Sequence, residues 1–195
     1  MRDAGCLAAW AQRQFGCPVL APGQVHGAVI ADLDADEPMD WADGLVSRSR
    51  DRALGVFGSD CPGLVVDGGA AWGVAHCGWR GCAGGVVGAL CHALTRAGAA
   101  APERWHAFIG PGISGPCYEV DAPVLHAAAW PEQALRRRGA RADLDLRTVI
   151  AAELRGFGLR RLMLAPACTA QRDDLHSFRH NGPGLTQVLA ALPLT

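Results

Sequence analysis

The chain has 195 residues, a formal net charge of −1, half of its residues hydrophobic and 19% of them charged. That composition supplies one sizeable core, argues against disorder, and gives no electrostatic footprint for nucleic acid or an anionic membrane surface. No apolar run approaches the ~20 residues of a spanning helix, and MRDAGCLAAWAQRQFG has too early an acid and too short an apolar stretch for a signal peptide, so the eight cysteines are expected as thiols in a reducing cytoplasm.

Residues 3–15 read as a helix with Leu7, Trp10 and Ala11 on one face and Gly16 as its stop. Residues 24–33, 43–47 and 53–58 read as strands. Residues 64–67 and 71–75 are apolar runs joined by Gly68 and Gly69, the pattern of a hairpin. After Gly78 the spacing of Val86, Leu90 and Leu94 predicts a helix ending near Gly98. Residues 105–109 form a predicted strand that stops at Gly110-Pro111-Gly112. Residues 121–137 read as a helix, with Asp121 as its cap and Pro123 in its first turn; the arginines 136–138 and 141 then decorate a solvated helix end. A helix over 146–154 and a strand over 161–165 complete the pattern. There is no repeat, low-complexity segment or linker, so residues 1–195 are expected to form a single domain. The order is not a regular βαβα alternation, which favours an α+β sandwich over a doubly wound fold. All basic residues are arginine, which excludes chemistry that needs a lysine.

Chemistry-bearing residues concentrate in QVHG (24–27), SDCPG (59–63), HCGWRG (76–81) and IGPGISGPCYEV (109–120). Three of these put a His or Cys at a strand end beside Gly or Pro, where a side chain reaches the lip of a sheet. His26, Cys61 and His76 make a ligand set of nitrogen and sulfur donors that suits zinc, and three protein ligands leave one position for water. The residues alone leave plainer readings open. His26 can be a hydrogen-bonded structural residue, Cys61 a small packed hydrophobe, and HCGWRG a strand-to-helix turn whose glycines serve the backbone.

QVHG, SDCPGLVVD, WGVAHCGWRGCAGG, IGPGISGPCYEV, LDLR, and ACT followed by HSFRHNGPG occur in the order typical of the laccase-domain (polyphenol-oxidase-like, YfiH-type) family, which the chain resembles from about Gln24 to Gly184. The resemblance implies a compact α-β-β-α sandwich with mixed sheets. It implies zinc held by His26, Cys61 and His76, with copper as the alternative metal. It also implies an activity on purine nucleosides: phosphorolysis of adenosine, inosine or methylthioadenosine, and deamination of adenosine. Asp60 is then a candidate acid/base or supporting residue, against the plainer reading of a turn-capping aspartate. Arg80 is a candidate phosphate ligand, with Gly81 opening the next helix. Cys117 could line the purine pocket or simply pack. Arg179 and His180 match a segment where the family carries two basic residues, and are placed at the pocket rim.

The chain departs from the family pattern in three respects. The strands that usually precede the first helix are missing, Ser59 replaces the usual alanine, and Pro62 directly follows Cys61, biasing it to extended backbone. The missing strands put the nucleoside substrate in doubt and leave a sheet edge that a protein partner or a second copy could cover. Three readings follow: a zinc purine nucleoside enzyme, a copper phenol oxidase, and a specialised or non-catalytic accessory member. A thiol hydrolase built on Cys61 and His76 is a fourth.

Overall fold

The computed structural model describes residues 4–192, with side chains from residue 9 onward. In chain order the elements are helix α1 (Ala4–Phe15), strands β1 (Val19–Leu20), β2 (Ile30–Asp32), β3 (Gly44–Ser47), β4 (Ala53–Gly58), β5 (Gly63–Asp67) and β6 (Trp72–His76), and helices α2 (Trp79–Ala83) and α3 (Val86–Arg96). Strands β7 (His106–Ile109) and β8 (Glu119–Val120), helix α4 (Ala122–Leu125), and strands β9 (Leu135–Arg138) and β10 (Arg141–Leu144) follow. Helix α5 (Leu146–Phe157), strand β11 (Arg161–Leu164), helix α6 (Phe178–Asn181) and strand β12 (Gln187–Ala191) end the chain.

The central sheet is mixed and six-stranded, in the order β11-β7-β5-β6-β3-β2. Its period-2 alternation separates two cores. Trp72 and Val74 of β6, with Leu45 of β3, point to one side, where Leu54 and Val56 of β4 and Leu189 of β12 meet them. Ala75, Val46, Leu64 and Val66 point to the other, toward Val87, Leu90 and Leu94 of α3 and Val149 and Ile150 of α5. A smaller sheet, β1-β4-β12, therefore covers one face of the central sheet and α3 with α5 cover the other, while α1 packs beside β1. This is the expected α+β sandwich. Gly73 lets α3 approach: a Cβ there would lie 2.9 Å from Leu90 Cδ1. Burying a leucine such as Leu90 contributes about 1.5–3 kcal/mol. No helix among the described residues is long and apolar enough to cross a membrane.

Three predicted elements are corrected. Residues 24–33 are strand only over Ile30–Asp32; Gln24 and His26 take left-handed backbone (φ 58° and 63°), which no strand accommodates. Residues 121–137 are not one helix. α4 spans a single turn whose Val124 O accepts Trp130 Nε1–H (2.8 Å), and Pro131, which lacks an amide donor and disfavours helical backbone at Trp130, keeps the helix from resuming. The chain then forms the hairpin β9–β10 around Gly139 (φ 62°). The arginine run therefore lies on a strand, where Arg138 pairs with Asp143 at 2.7 Å. The helix predicted after Gly78 is broken at Gly84-Gly85, where Gly85 is left-handed (φ 83°). The other predicted elements are present within a few residues, with Leu7 of the first helix outside the described side chains.

Candidate metal centre

Strand pairing assembles the site. Ile30 of β2 is in register with Gly44 of β3, Gly44 with Ala75 of β6, and His76 of β6 with Gly63 of β5. The starts of β2, β3 and β5 and the end of β6 therefore lie on one rim of the sheet. Cys61 precedes β5 by two residues, and the Cys77 N–H donates to Pro62 O at 2.9 Å, drawing the two segments together. The ligating atoms of His26, Cys61 and His76 lie within 4.8 Å of one another. The two imidazoles meet edge to face, with ring centroids 4.8 Å apart. His76 is buried, Cys61 half-buried and His26 exposed.

His26 is delivered by a loop rather than by the sheet. Gln24 anchors that loop by imitating a strand: its Nε2 donates to Phe57 O (2.7 Å) and its Oε1 accepts the Phe57 N–H (2.8 Å). The wholly buried Asp43, one residue ahead of β3, accepts the N–H groups of Val25, His26 and Gly27 and lies 3.0 Å from His76 Nδ1. Gly78 closes the site from the other side. A Cβ there would stand 3.0 Å from Cys61 Sγ, 3.3 Å from His26 Cδ2 and 3.5 Å from His76 Cε1, so the backbone runs against all three donors.

Burial pushes the Cys61 thiol up to about 12; Cys82, Asp60 and Asp43 add to the shift and Arg80 opposes it. A thiol so placed needs a compensating cation to become a thiolate. Two imidazoles and a thiolate suit zinc or copper, so the residues present fit a metal.

The remaining predicted residues fall into two groups. Arg80 is exposed on α2, its guanidinium 4.2 Å over the Trp79 ring, and its charge is felt at Cys61 and at Tyr118. Gly81 lies within α2 rather than opening it; a Cβ there would sit 2.9 Å from Gly27 O, so it packs the QVHG loop. Asp60 has both oxygens engaged: Thr169 Oγ1–H donates to Oδ1 and the Arg179 N–H to Oδ2, each at 2.7 Å. Arg179 Nη1 donates to Glu119 O at 3.0 Å, and its guanidinium lies 5.1 Å over the Tyr118 ring. His180 is exposed, its N–H donating to Ser177 Oγ (3.2 Å). Cys117 faces Cys168 rather than the triad. Burial raises the Cys117 thiol, whereas for Cys168 hydrogen bonds from Ser114, the Ala170 N–H and Cys117 overcome burial and lower it.

Three residues escaped the sequence reading. Tyr118, the only tyrosine, is buried beside the site; burial and then the Cys61 charge push its phenol up to about 12, while Arg179 and Arg80 work against the shift. Its signal was its place in GPCYEV. Asp43 was signalled by a lone acid in the apolar run ADGLV, and Gly78 only by lying between Cys77 and Trp79. A cavity of about 180 Å³ borders Cys61, walled by Val56, Pro111, Leu175, Gln187 and Leu189.

The family model for multi-copper polyphenol oxidoreductase laccase matches residues 7–190. The chain belongs to that family. Among relatives of this laccase-family chain, a Deinococcus radiodurans protein named purine nucleoside phosphorylase is 34% identical over 177 residues, covering 88% of this chain and 68% of its own. A Streptomyces coelicolor protein of the same name is 35% identical over 167 residues, covering 81% and 68%. A crystal structure of a Neisseria meningitidis protein superposes with a TM-score of 0.83 at 28% identity, over 94% of this chain and 78% of that one. YfiH from Bacillus licheniformis superposes with a TM-score of 0.85 over 97% and 80%; at 22% identity that likeness concerns the fold alone.

Proposed function

We infer that the chain is a zinc-dependent purine nucleoside enzyme that cleaves adenosine, inosine or methylthioadenosine with phosphate and deaminates adenosine. The observation that carries this reading is the convergence of His26, Cys61 and His76 around Gly78, with the exposed Arg80 charge acting on Cys61. The names borne by the Deinococcus and Streptomyces relatives support the substrate class. The seven described cysteines, all free thiols, suit a reducing cytoplasm.

Zinc held by the three residues supplies Lewis acidity and acidifies a water toward neutral pH. The other roles fall to the chain itself. Arg80 offers phosphate oxygens a planar pair of donors, with Arg179 adding charge at the rim. Tyr118 stays protonated far above neutral pH and so serves as a hydrogen-bond donor. Asp60, with both oxygens committed, holds Thr169 and Arg179 in place. The cavity beside Cys61, about 180 Å³, is smaller than the ~300 Å³ of a typical small-molecule site, which favours a nucleoside bound at the exposed rim that carries His26 and Arg80. Multi-copper oxidation draws on several ligand clusters, and the described residues form one.

The test is metal analysis of the purified protein and of His76→Ala, paired with adenosine and inosine turnover with and without phosphate. About one zinc per chain, lost in the variant, together with phosphate-dependent release of base, is the expected result. Zinc without turnover on either nucleoside refutes the substrate assignment, and absence of metal in the wild type refutes the site.

A further inference from the structure

Asp43 is wholly buried, and six hydrogen-bonding groups converge on it. Oδ1 accepts the His26 N–H at 2.9 Å and lies 3.0 Å from His76 Nδ1. Oδ2 accepts the N–H groups of Val25 (3.1 Å) and Gly27 (2.7 Å). Its main-chain carbonyl accepts the His76 N–H at 2.8 Å, and its own N–H donates to Val29 O at 2.8 Å. Three consecutive amides aimed at one carboxylate form an anion-holding nest. Such a nest requires unusual backbone, and Gln24 and His26 adopt left-handed φ although neither is glycine. A buried carboxylate is tolerated only when its lone pairs are filled, and here three amide donors and the ring nitrogen of His76 surround two oxygens.

We propose that Asp43 is the positioning residue of the metal centre, one carboxylate setting both histidines. Toward His76 it accepts the Nδ1 proton, which fixes the ring's orientation and leaves Nε2 as the nitrogen offered to the metal. Toward His26 it holds the strained turn that presents the ring, through the amides on either side as well as that of His26 itself. A ligand borne by the sheet and a ligand borne by a loop are thereby locked to one reference atom, Asp43 Oδ1. The exposed His26 is placed before metal arrives.

This inference rests on the metal-site reading, and the experiment separates the two. Zinc is titrated into metal-free wild type and metal-free Asp43→Asn in competition with a chelating dye. Asparagine keeps the volume but sets an NH2 group against the donors of the nest. The expected result is a folded variant whose zinc affinity falls about 10- to 100-fold. Wild type that binds no zinc refutes the site and the inference together; wild type that binds, with a folded variant that binds equally, overturns only the inference. The metal-free wild type is also examined by 15N NMR of its histidines, a readout that does not depend on the variant folding. The inference requires His76 to carry its proton on Nδ1 and, in the cadmium-loaded protein, 113Cd coupling to its Nε2. A proton on Nε2, or coupling through Nδ1, overturns it.

Discussion

Gly78→Ala isolates the metal centre from the rest of the fold. Gly78 has φ −69° and ψ 163°, extended backbone open to any residue, so alanine meets no conformational penalty of its own. As the residue capping α2 it loses a little with alanine and regains a little through a stiffer unfolded chain; the two effects cancel to within about 1 kcal/mol. The contact is different. The new methyl would stand 3.0 Å from Cys61 Sγ and 3.3 Å from His26 Cδ2, against the ~3.5–4.0 Å of an unstrained contact. Relief requires the sulfur or the methyl to retreat by about 0.5 Å, whereas metal–ligand distances tolerate about 0.2 Å. We expect zinc affinity to fall at least about tenfold, or ~1.4 kcal/mol. At saturating metal, that loss removes about 3–6 °C from the gap in Tm between loaded and metal-free protein of this size. The metal-free Tm should move by no more than about 2–4 °C. Competitive zinc titration and paired melts in zinc and in chelator measure both quantities. A variant that binds zinc as tightly as wild type would falsify the placement of Gly78 against the three ligands.

Removing the acceptor of two hydrogen bonds with Asp60→Ala should destabilise the protein by about 1–3 kcal/mol while leaving zinc content intact; an unchanged melt would contradict the anchoring of Thr169 and Arg179. Tyr118→Phe should lower nucleoside turnover about 100-fold at constant metal content, whereas full activity would remove the phenol from the chemistry. With the metal-free Cys61 thiol near 12, zinc must displace its proton, so apparent affinity should tighten by about tenfold per pH unit between about pH 7 and 9; a flat profile over that range would exclude Cys61 as a ligand. Burial raises the Glu153 carboxyl above 4.5, so the folded state resists its ionisation, and the contribution to stability present below 4.5 is lost as pH rises through the folded value. Glu153→Gln should therefore melt higher than wild type at pH 7 and alike at pH ~4, and a lower Tm at pH 7 would reverse that sign.

Elements governed by local pattern were legible in the sequence. The β5–β6 hairpin follows from two apolar runs around Gly68-Gly69, and α5 from Leu146, Val149, Ile150 and Leu154. Elements governed by distant partners were not. The segment 24–29 looks strand-like because its residues alternate, yet its amides turn to a carboxylate that lies 16–18 residues later. The arginines of β9 resemble a helix end until Pro131 and Gly139 are weighed together. The grouping of His26, Cys61 and His76 was legible through its motif context. Asp43 was less so: its one signal was to be a lone acid in an apolar run, and an aspartate flanked by Ala42 and Gly44 also reads as a turn residue. Within GPCYEV a 3-10 turn over Gly115–Cys117, which the sequence reading did not foresee, turns Cys117 toward Cys168 and leaves Tyr118 as the residue whose phenol feels the Cys61 charge.

Strand register draws three of the four separated segments of this site together. Antiparallel pairing of β5 with β6 and of β6 with β3 brings residues 61, 76 and 43 to one rim, and parallel pairing of β3 with β2 brings the end of the loop that carries residue 26 beside them. Neighbouring strands lie about 4.8 Å apart, the scale on which the three ligating atoms cluster, so adjacency in the sheet already sets most of the distance. The two cores hold that register. A one-residue slip of β6 would send Trp72 and Val74 toward the helices and Ala75 toward β4, exchanging the sides on which large and small residues pack, and would turn His76 to the wrong face as well. The packing that holds the register of β6 therefore also fixes the position of His76. The loop carrying His26 has no such protection, since its residues 25 and 26 are exposed, and it is there that a buried charge replaces apolar packing as the means of holding position.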